Sequence, residues 1–366
     1  MLPDEALGEF LREDPPPSRL PSFSMADGST FDKICSFFGI DTLRCPHCGE
    51  KAKTPICPNC HNELPDLHKQ KEQFQIALVG DTNCGKSVYF TVLIEEMSKR
   101  GVVNPFDINI TAEGDHTRRR YRRDFYRPLY ENRELPDITL RTDSQTNLPL
   151  TFQIGKNNVI GEINSDVYMN FYDKAGEEFI EKVWIERELQ YIKHANGIIL
   201  LIDPTQLDGF RNIMEQNRIP LPPRRNLHLD IVKNIYEEIA KKQRKRGKLD
   251  IPFAICLTKV DYFDTYAREF LDPNSLLIRN SNYTKDFERN DAELKSISTE
   301  VKSLLNNPHL GDEANFMAYA EGHFSNVIFL AVSALGSIPQ TSEPLQINPR
   351  RVTDPIIWML RQFKFL

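Results

Sequence analysis

From Phe74 to the C-terminus, apolar residues fall in short runs separated by longer amphipathic stretches. FQIALVG (74–80) is an apolar run closed by glycine, the pattern of a parallel strand buried on both faces. Tyr89, Val92, Leu93 and Met97 then recur at helical spacing, with Gly101 as a stop signal. Further strands are predicted at LPLTFQIG (148–155), DVYMNFYD (166–173), GIILLID (197–203), PFAICLT (252–258) and NVIFLAVS (326–333). Helical patterns lie at 174–194, 229–243 and 289–305. A last helix has Asp354 as its N-cap and Pro355 at its first position, with Ile356, Ile357, Leu360 and Phe363 set to pack on the sheet. Strands alternating with helices predict an α/β fold with a mostly parallel sheet. Residues 101–147 and 262–322 read as insertions into that fold.

The region before Phe74 has a different character. Residues 1–28 contain Pro3, Pro15, Pro16, Pro17 and Pro21 and few large apolar residues, so a flexible tail is expected. Residues 29–44, with Phe31, Ile34, Phe37, Phe38 and Ile40, suit a short docking segment. Residues 45–60 read CPHCGEKAKTPICPNC. The two CxxC turns, Cys45/Cys48 and Cys57/Cys60, can converge four thiolates on one tetrahedral Zn²⁺. Four protein thiolates leave no open position for catalysis, so a structural zinc ribbon over 45–61 is expected; a rubredoxin-type iron centre is the chemical alternative. Such a ribbon would staple the N-terminus to the larger domain, or read a protein or nucleic acid.

The chain has 366 residues, 40% of them hydrophobic and 27% charged, enough for a sizeable core. A net charge of −6 argues against a general polyanion binder. No apolar run is long enough to span a membrane, and the acidic N-terminus lacks the apolar core of a secretory signal. Paired CxxC units beside the lone Cys35, Cys84 and Cys256 suit a reducing compartment, so a cytoplasmic protein is expected.

Residues 80–87, GDTNCGKS, fit G-x-x-x-x-G-K-[ST] between a predicted strand and a helix. Gly80 and Gly85 permit a tight concave loop, and its amides, with those of Asn83, Cys84, Gly85 and Val88, can point at phosphate oxygens. Lys86 would neutralise β/γ-phosphate charge and Ser87 would ligate Mg²⁺. Asp173-Lys174-Ala175-Gly176 ends a predicted strand. There Asp173 can hold Mg²⁺ through a water and the Gly176 amide can approach a γ-phosphate. Thr258-Lys259-Val260-Asp261 ends another. A carboxylate only accepts hydrogen bonds, and guanine offers two adjacent donors, so Asp261 selects guanine over adenine while the Lys259 stem lies along the base. Ser333-Ala334-Leu335 ends a third, with backbone amides able to meet guanine O6.

The ordered set GDTNCGKS, DKAG, TKVD and SAL resembles the motifs of the Ras-like, translation-factor-related (TRAFAC) class of P-loop GTPases, over residues 72–366. The resemblance implies a Rossmann-like sheet, Mg²⁺-dependent binding of GTP and GDP, and slow hydrolysis coupled to a conformational switch read by a protein effector or regulator. It assigns the phosphate loop to Gly80, Gly85, Lys86 and Ser87, the Mg²⁺/γ-phosphate segment to Asp173 and Gly176, the guanine pair to Lys259 and Asp261, and the last base loop to Ser333 and Ala334. Glu177 stands where Ras-like members carry a water-orienting Gln. Thr146, flanked by Thr142 and Thr151, is the choice for the switch threonine. The long insertions and cysteine cluster resemble the divergent prokaryotic double-GTPase families. Two other functions remain open: a nucleotide-gated interaction module with negligible turnover, and a GTP-regulated RNA-binding protein.

The RNA alternative draws on HTRRRYRRDFYR (116–127), where six arginines interleave with Tyr121, Phe125 and Tyr126. A charged helix face packed through its aromatics accounts for the same pattern. KKQRKRGK (241–248) reads as a solvated helix end. Trp184 and Trp358 read as core or interface anchors.

Overall fold

The computed structural model describes residues 72–80, 83–99, 105–136, 149–156, 165–171, 192–223, 228–244, 246–311, 313–339 and 343–366. All of them lie in the unit Glu72–Leu366. The proline-rich tail, the docking segment and the zinc-ribbon cysteines fall outside the described residues.

Seven strands are described: β1 (Glu72–Gly80), β2 (Ile108–Ala112), β3 (Leu150–Lys156), β4 (Ser165–Phe171), β5 (Gly197–Ile202), β6 (Leu249–Leu257) and β7 (Phe324–Ala331). They form one sheet in the order β2-β3-β4-β1-β5-β6-β7. The run β4-β1-β5-β6-β7 is parallel, with Ile76 opposite Gly197 and Leu257 opposite Ala331. β3 is antiparallel to both β2 and β4. The sheet is thus mixed and mostly parallel. Every residue of β5 is buried, which is why GIILLI shows no polar alternation.

β2 is the strand that the sequence pattern did not separate from its surroundings. It is five residues at the sheet edge, with only Ile108 and Ile110 fully buried and Thr111 exposed. Two inward side chains leave little periodic signal.

The helices are α1 (Lys86–Ser98), α2 (Gly114–Tyr121), α3 (Asp208–Gln216), α4 (His228–Gln243), α5 (Asp261–Tyr266), α6 (Phe287–Leu305), α7 (Ala314–His323) and α8 (Asp354–Gln362). Among the described residues none is long and apolar enough to cross a membrane. The predicted helix at 174–194 lies outside the described residues up to position 191.

α1 is buried nearly all round, not on one stripe. Phe90 shows why. It stacks on Phe171 at 4.1 Å and meets Phe152, Tyr121 and Phe125 edge-on at 5.3–6.2 Å between ring centres. Two of those rings come from the arginine-rich segment. α2 runs into a π-helix at Arg122–Glu131, and Tyr121, Phe125 and Leu129 turn inward from it. Arg120 is buried as well, whereas Arg118, Arg119, Arg122, Arg123 and Arg127 are exposed. Tyr126 is half-buried and stacks on Tyr130 at 5.4 Å. The aromatics are committed to the core and to each other, which is the packed-face alternative rather than a stacking platform for bases.

α8 corrects a second expectation. Its N-cap is Thr353, not Asp354, and Asp354 is the first helical residue, followed by Pro355. The fully buried Asp354 carboxylate accepts from Tyr283 (2.7 Å), from Ser281 and from the Arg351 guanidinium (3.0 Å). Arg351 also binds Glu293 (2.7 Å) and the Leu276 carbonyl (2.6 Å). The supposed cap is therefore the centre of an ionic knot that ties the 272–305 region to the C-terminal helix.

Removing one partner of a buried ion pair strands the other charge. Arg351→Met is expected to cost about 3–5 kcal/mol, read as a lower midpoint in urea unfolding. Arg122→Ala, on the exposed face, is expected to leave the midpoint in place. Equal effects would show that the knot contributes nothing.

Candidate functional site

The carboxyl ends of β1, β5, β6 and β7 form one edge of the sheet, where loops of an open α/β structure build sites. After β1, Asn83 (φ 64°) and Gly85 (φ 85°) take left-handed conformations that curl the chain into a loop. Gly85 is the N-cap of α1 and no side chain caps that helix, so its first-turn amides are not claimed by a capping group. Gly80 has no room for a side chain: a Cβ there would lie 2.6 Å from Cys84 Sγ. Cys84, within the loop, is fully buried. The Lys86 ammonium turns back to the Gly80 carbonyl at 3.5 Å. Ser87 and Val88 are half-buried in the first turn of α1, where the Ser87 carbonyl accepts from Thr91 Oγ1 at 2.7 Å.

Lys259, just past β6, reaches this loop. Its Nζ donates to the Asn83 carbonyl at 2.7 Å and to Asp203 Oδ2 at 2.6 Å. A Cβ on Gly85 would sit 3.9 Å from Lys259 Cε, so the lysine stem lies alongside the loop. Lys259 itself is left-handed (φ 52°), a conformation rare for a non-glycine residue and held here by both contacts. Asp203, at the end of β5, is 2% exposed, and its other oxygen accepts from the Thr205 amide at 2.9 Å. Sequence reasoning passed over Asp203. Its signal was an acid closing an otherwise apolar strand.

Two residues further, Asp261 opens α5 and is 6% exposed. One of its oxygens accepts from the Ser333 hydroxyl, which in turn accepts from the Gly336 amide at 2.9 Å. Burial pushes the Asp261 carboxyl above the usual range, and the Ser333 bond, a bond from its own backbone amide, then Arg350 and Lys259, pull it back. Burial, with help from Asp261 and Asp203, pushes the neighbouring Tyr262 phenol up to about 12. Thr258 uses both its amide and its hydroxyl on the Ile202 carbonyl, at 2.8 and 3.0 Å. It fixes the end of β6 to that of β5. Ala334 follows Ser333 in a half-buried loop.

The structure thus brings Gly80, Asn83, Gly85, Lys86, Ser87, Lys259, Asp261 and Ser333 to one edge. Asp173, Gly176, Glu177 and Thr146 lie outside the described residues, as do Cys45, Cys48, Cys57 and Cys60.

No family model matches the chain. A protein of Mycolicibacterium smegmatis named putative ESX-1 scaffolding and assembly protein SaeC is 25% identical over 331 residues, covering 85% of this chain and 80% of that one. The GTP-bound GTPase-like domain of S. cerevisiae Ski7 aligns with a TM-score of 0.34 and 13% identity, over 82% of this chain and 53% of that chain. A bacterial selenocysteine-specific elongation factor, EF-Sec, aligns with a TM-score of 0.30 and 10% identity, over 81% and 29% respectively. Strand order and register, not these superpositions, define the fold.

The Ser333 loop is clamped by the chain that returns across it. Gly336 has φ 77°, and a Cβ there would fall 1.8 Å from the Asn348 carbonyl oxygen. Gly247, also left-handed at φ 95°, has nothing within 4 Å. Gly336→Ala is expected to cost about 1–3 kcal/mol more than Gly247→Ala, measured by thermal unfolding. Equal losses would mean that the loop yields freely.

Proposed function

We propose that this protein binds guanine nucleotides and acts as a slow, Mg²⁺-dependent GTPase switch. The observation that carries the reading is Lys259, whose ammonium joins the Asn83 carbonyl of the phosphate loop (2.7 Å) to the turn bearing Asp261. The residues proposed to hold phosphate and to select the base therefore lie at one edge of the sheet, which supports a single nucleotide reaching both. Asp261 has lone pairs beyond the one given to Ser333, and these suit the paired N1–H and N2–H₂ donors of guanine. Loop amides and Lys86 would take the β- and γ-phosphates. Mg²⁺ would be held by Ser87 and Asp173 and would neutralise charge on the phosphates. In hydrolysis, water adds to the γ-phosphorus as the bond to the β–γ bridging oxygen breaks, giving GDP and phosphate. Glu177 and Thr146 are the residues proposed to position that water and the γ-phosphate.

A second reading is a nucleotide-gated assembly module with negligible turnover. The relative whose name denotes scaffolding and assembly favours it. The two readings share the nucleotide site and part at hydrolysis.

Titration with fluorescent GDP, GTP and ATP is expected to show guanine preferred over adenine by up to about 10⁴-fold. Asp261→Asn should weaken GDP and favour the xanthine nucleotide, whose C2 oxygen accepts from the new amide. Lys86→Ala should weaken both GDP and GTP. Equal affinity for ATP would overturn the guanine reading. Phosphate release near or below about 10⁻² s⁻¹ without a partner fits the switch; intact binding with no release at all would favour the assembly module.

A further inference from the structure

Arg350 belongs to none of the motifs, yet it is built into the same edge of the sheet. The chain leaves Ser333, runs through Gly336, and returns so that Ser333 and Arg350 exchange two backbone bonds. The Ser333 amide donates to the Arg350 carbonyl at 3.0 Å and the Arg350 amide to the Ser333 carbonyl at 2.8 Å. That bridge fixes Arg350 beside the residue whose hydroxyl holds Asp261. From there its guanidinium reaches Asp264 Oδ2 at 3.0 Å, one turn along α5 from Asp261. The other Asp264 oxygen takes Arg268 at 3.3 Å.

Arg350 and Lys259, from two different segments, both favour the ionised form of Asp261. Lys259 comes from the turn after β6, anchored on Asp203 at 2.6 Å. Arg350 comes from the returning segment, anchored on Asp264 at 3.0 Å. Among the described residues neither cation bonds to Asp261 itself; each has a carboxylate of its own. Asp261 is left with Ser333 as its side-chain donor, and with Tyr262 and Asp264 as the other titratable groups near it on α5. The arrangement supplies positive potential without occupying the lone pairs that a ligand would need. Protonation of the carboxyl would replace an acceptor with an O–H donor, which clashes with the two guanine donors.

We infer that Arg350 is a specificity-determining residue of the guanine pocket: held by its backbone bridge to Ser333 and by Asp264, it keeps Asp261 in the wholly accepting form that guanine requires. The inference rests on the guanine reading of the site. Arg350 acts through Asp261, so it is a positioning and field residue rather than one that touches the base. Binding needs the ionised carboxylate, so affinity falls as pH drops through the titration of Asp261 in the free protein. Loss of a nearby cation moves that fall to higher pH.

The test is the affinity of fluorescent GDP for the full chain from pH 5.5 to 8.5, in the wild type and in Arg350→Ala, Arg350→Gln and Arg350→Lys. Gln keeps a hydrogen bond to Asp264 without the charge, which separates charge from packing and serves if the alanine variant folds poorly. Both uncharged variants are expected to lose GDP affinity as the pH falls, from a midpoint higher than that of the wild type. Arg350→Lys is expected to restore most of the wild-type profile. A profile of unchanged shape, whether or not affinity drops uniformly, would overturn the role of Arg350 and leave the guanine reading standing. A wild-type protein that does not prefer GDP to ADP would overturn the guanine reading itself.

Discussion

The Lys259 ammonium is the contact on which the arrangement of the site depends. Asp203 and the Asn83 carbonyl lie within 2.7 Å of it, so three chain segments converge on one charge. Asp203 is almost wholly buried, and a buried carboxylate without a cation would be costly. The same lysine needs a left-handed backbone to reach both partners, and the chain keeps it there without a glycine. The loop after β1, which would otherwise be set only by its own turn, is thereby referenced to the strand ends beside it. The loop is held to the strand ends electrostatically, and Asp261 is placed two residues later as a consequence.

Around that contact, charge is arranged in alternation: Asp203, Lys259, Asp261, Arg350 and Asp264. The outer carboxylates satisfy the cations, and the central one keeps its capacity to accept. A central carboxylate paired directly with a cation would be more stable in isolation and less useful to a ligand with two donors. The interior of the sheet has no such compromise. Phe90 gathers rings from the sheet and from the α2 and π-helical segment, and that apolar packing supports the helix whose first turn faces the site.

Much of this was legible in the residues, for reasons that differ by element. β1, β5 and β6 are central strands, and β7 closes the parallel run at the edge; the apolar runs of all four need no context to interpret. The motifs GDTNCGKS, TKVD and SAL come directly after those runs, so locating the strands located the loops. β2 was not legible because an edge strand with two buried side chains carries almost no period. Asp203 and Arg350 were not legible because their partners lie 56 and 86 residues away, and only the sheet brings them together. Asp354 misled because an acid before a proline at a helix start is the usual dress of a cap. Burial converted it into an ion-pair centre.

That ion-pair centre also bears on how the chain can be reshaped. Glu293, Ser281, Tyr283 and the Leu276 carbonyl all come from the stretch between β6 and β7, and all converge on Arg351 and Asp354. The next residue, Val352, accepts through its carbonyl from Tyr89 of α1 at 3.0 Å. What looks like a dispensable excursion between β6 and β7 is therefore the counterweight of the C-terminal helix. Trimming the chain to an economical core would discard the counter-ions while keeping the charges they neutralise, so the excursion and the terminal helix must be inherited, grafted or redesigned as one piece.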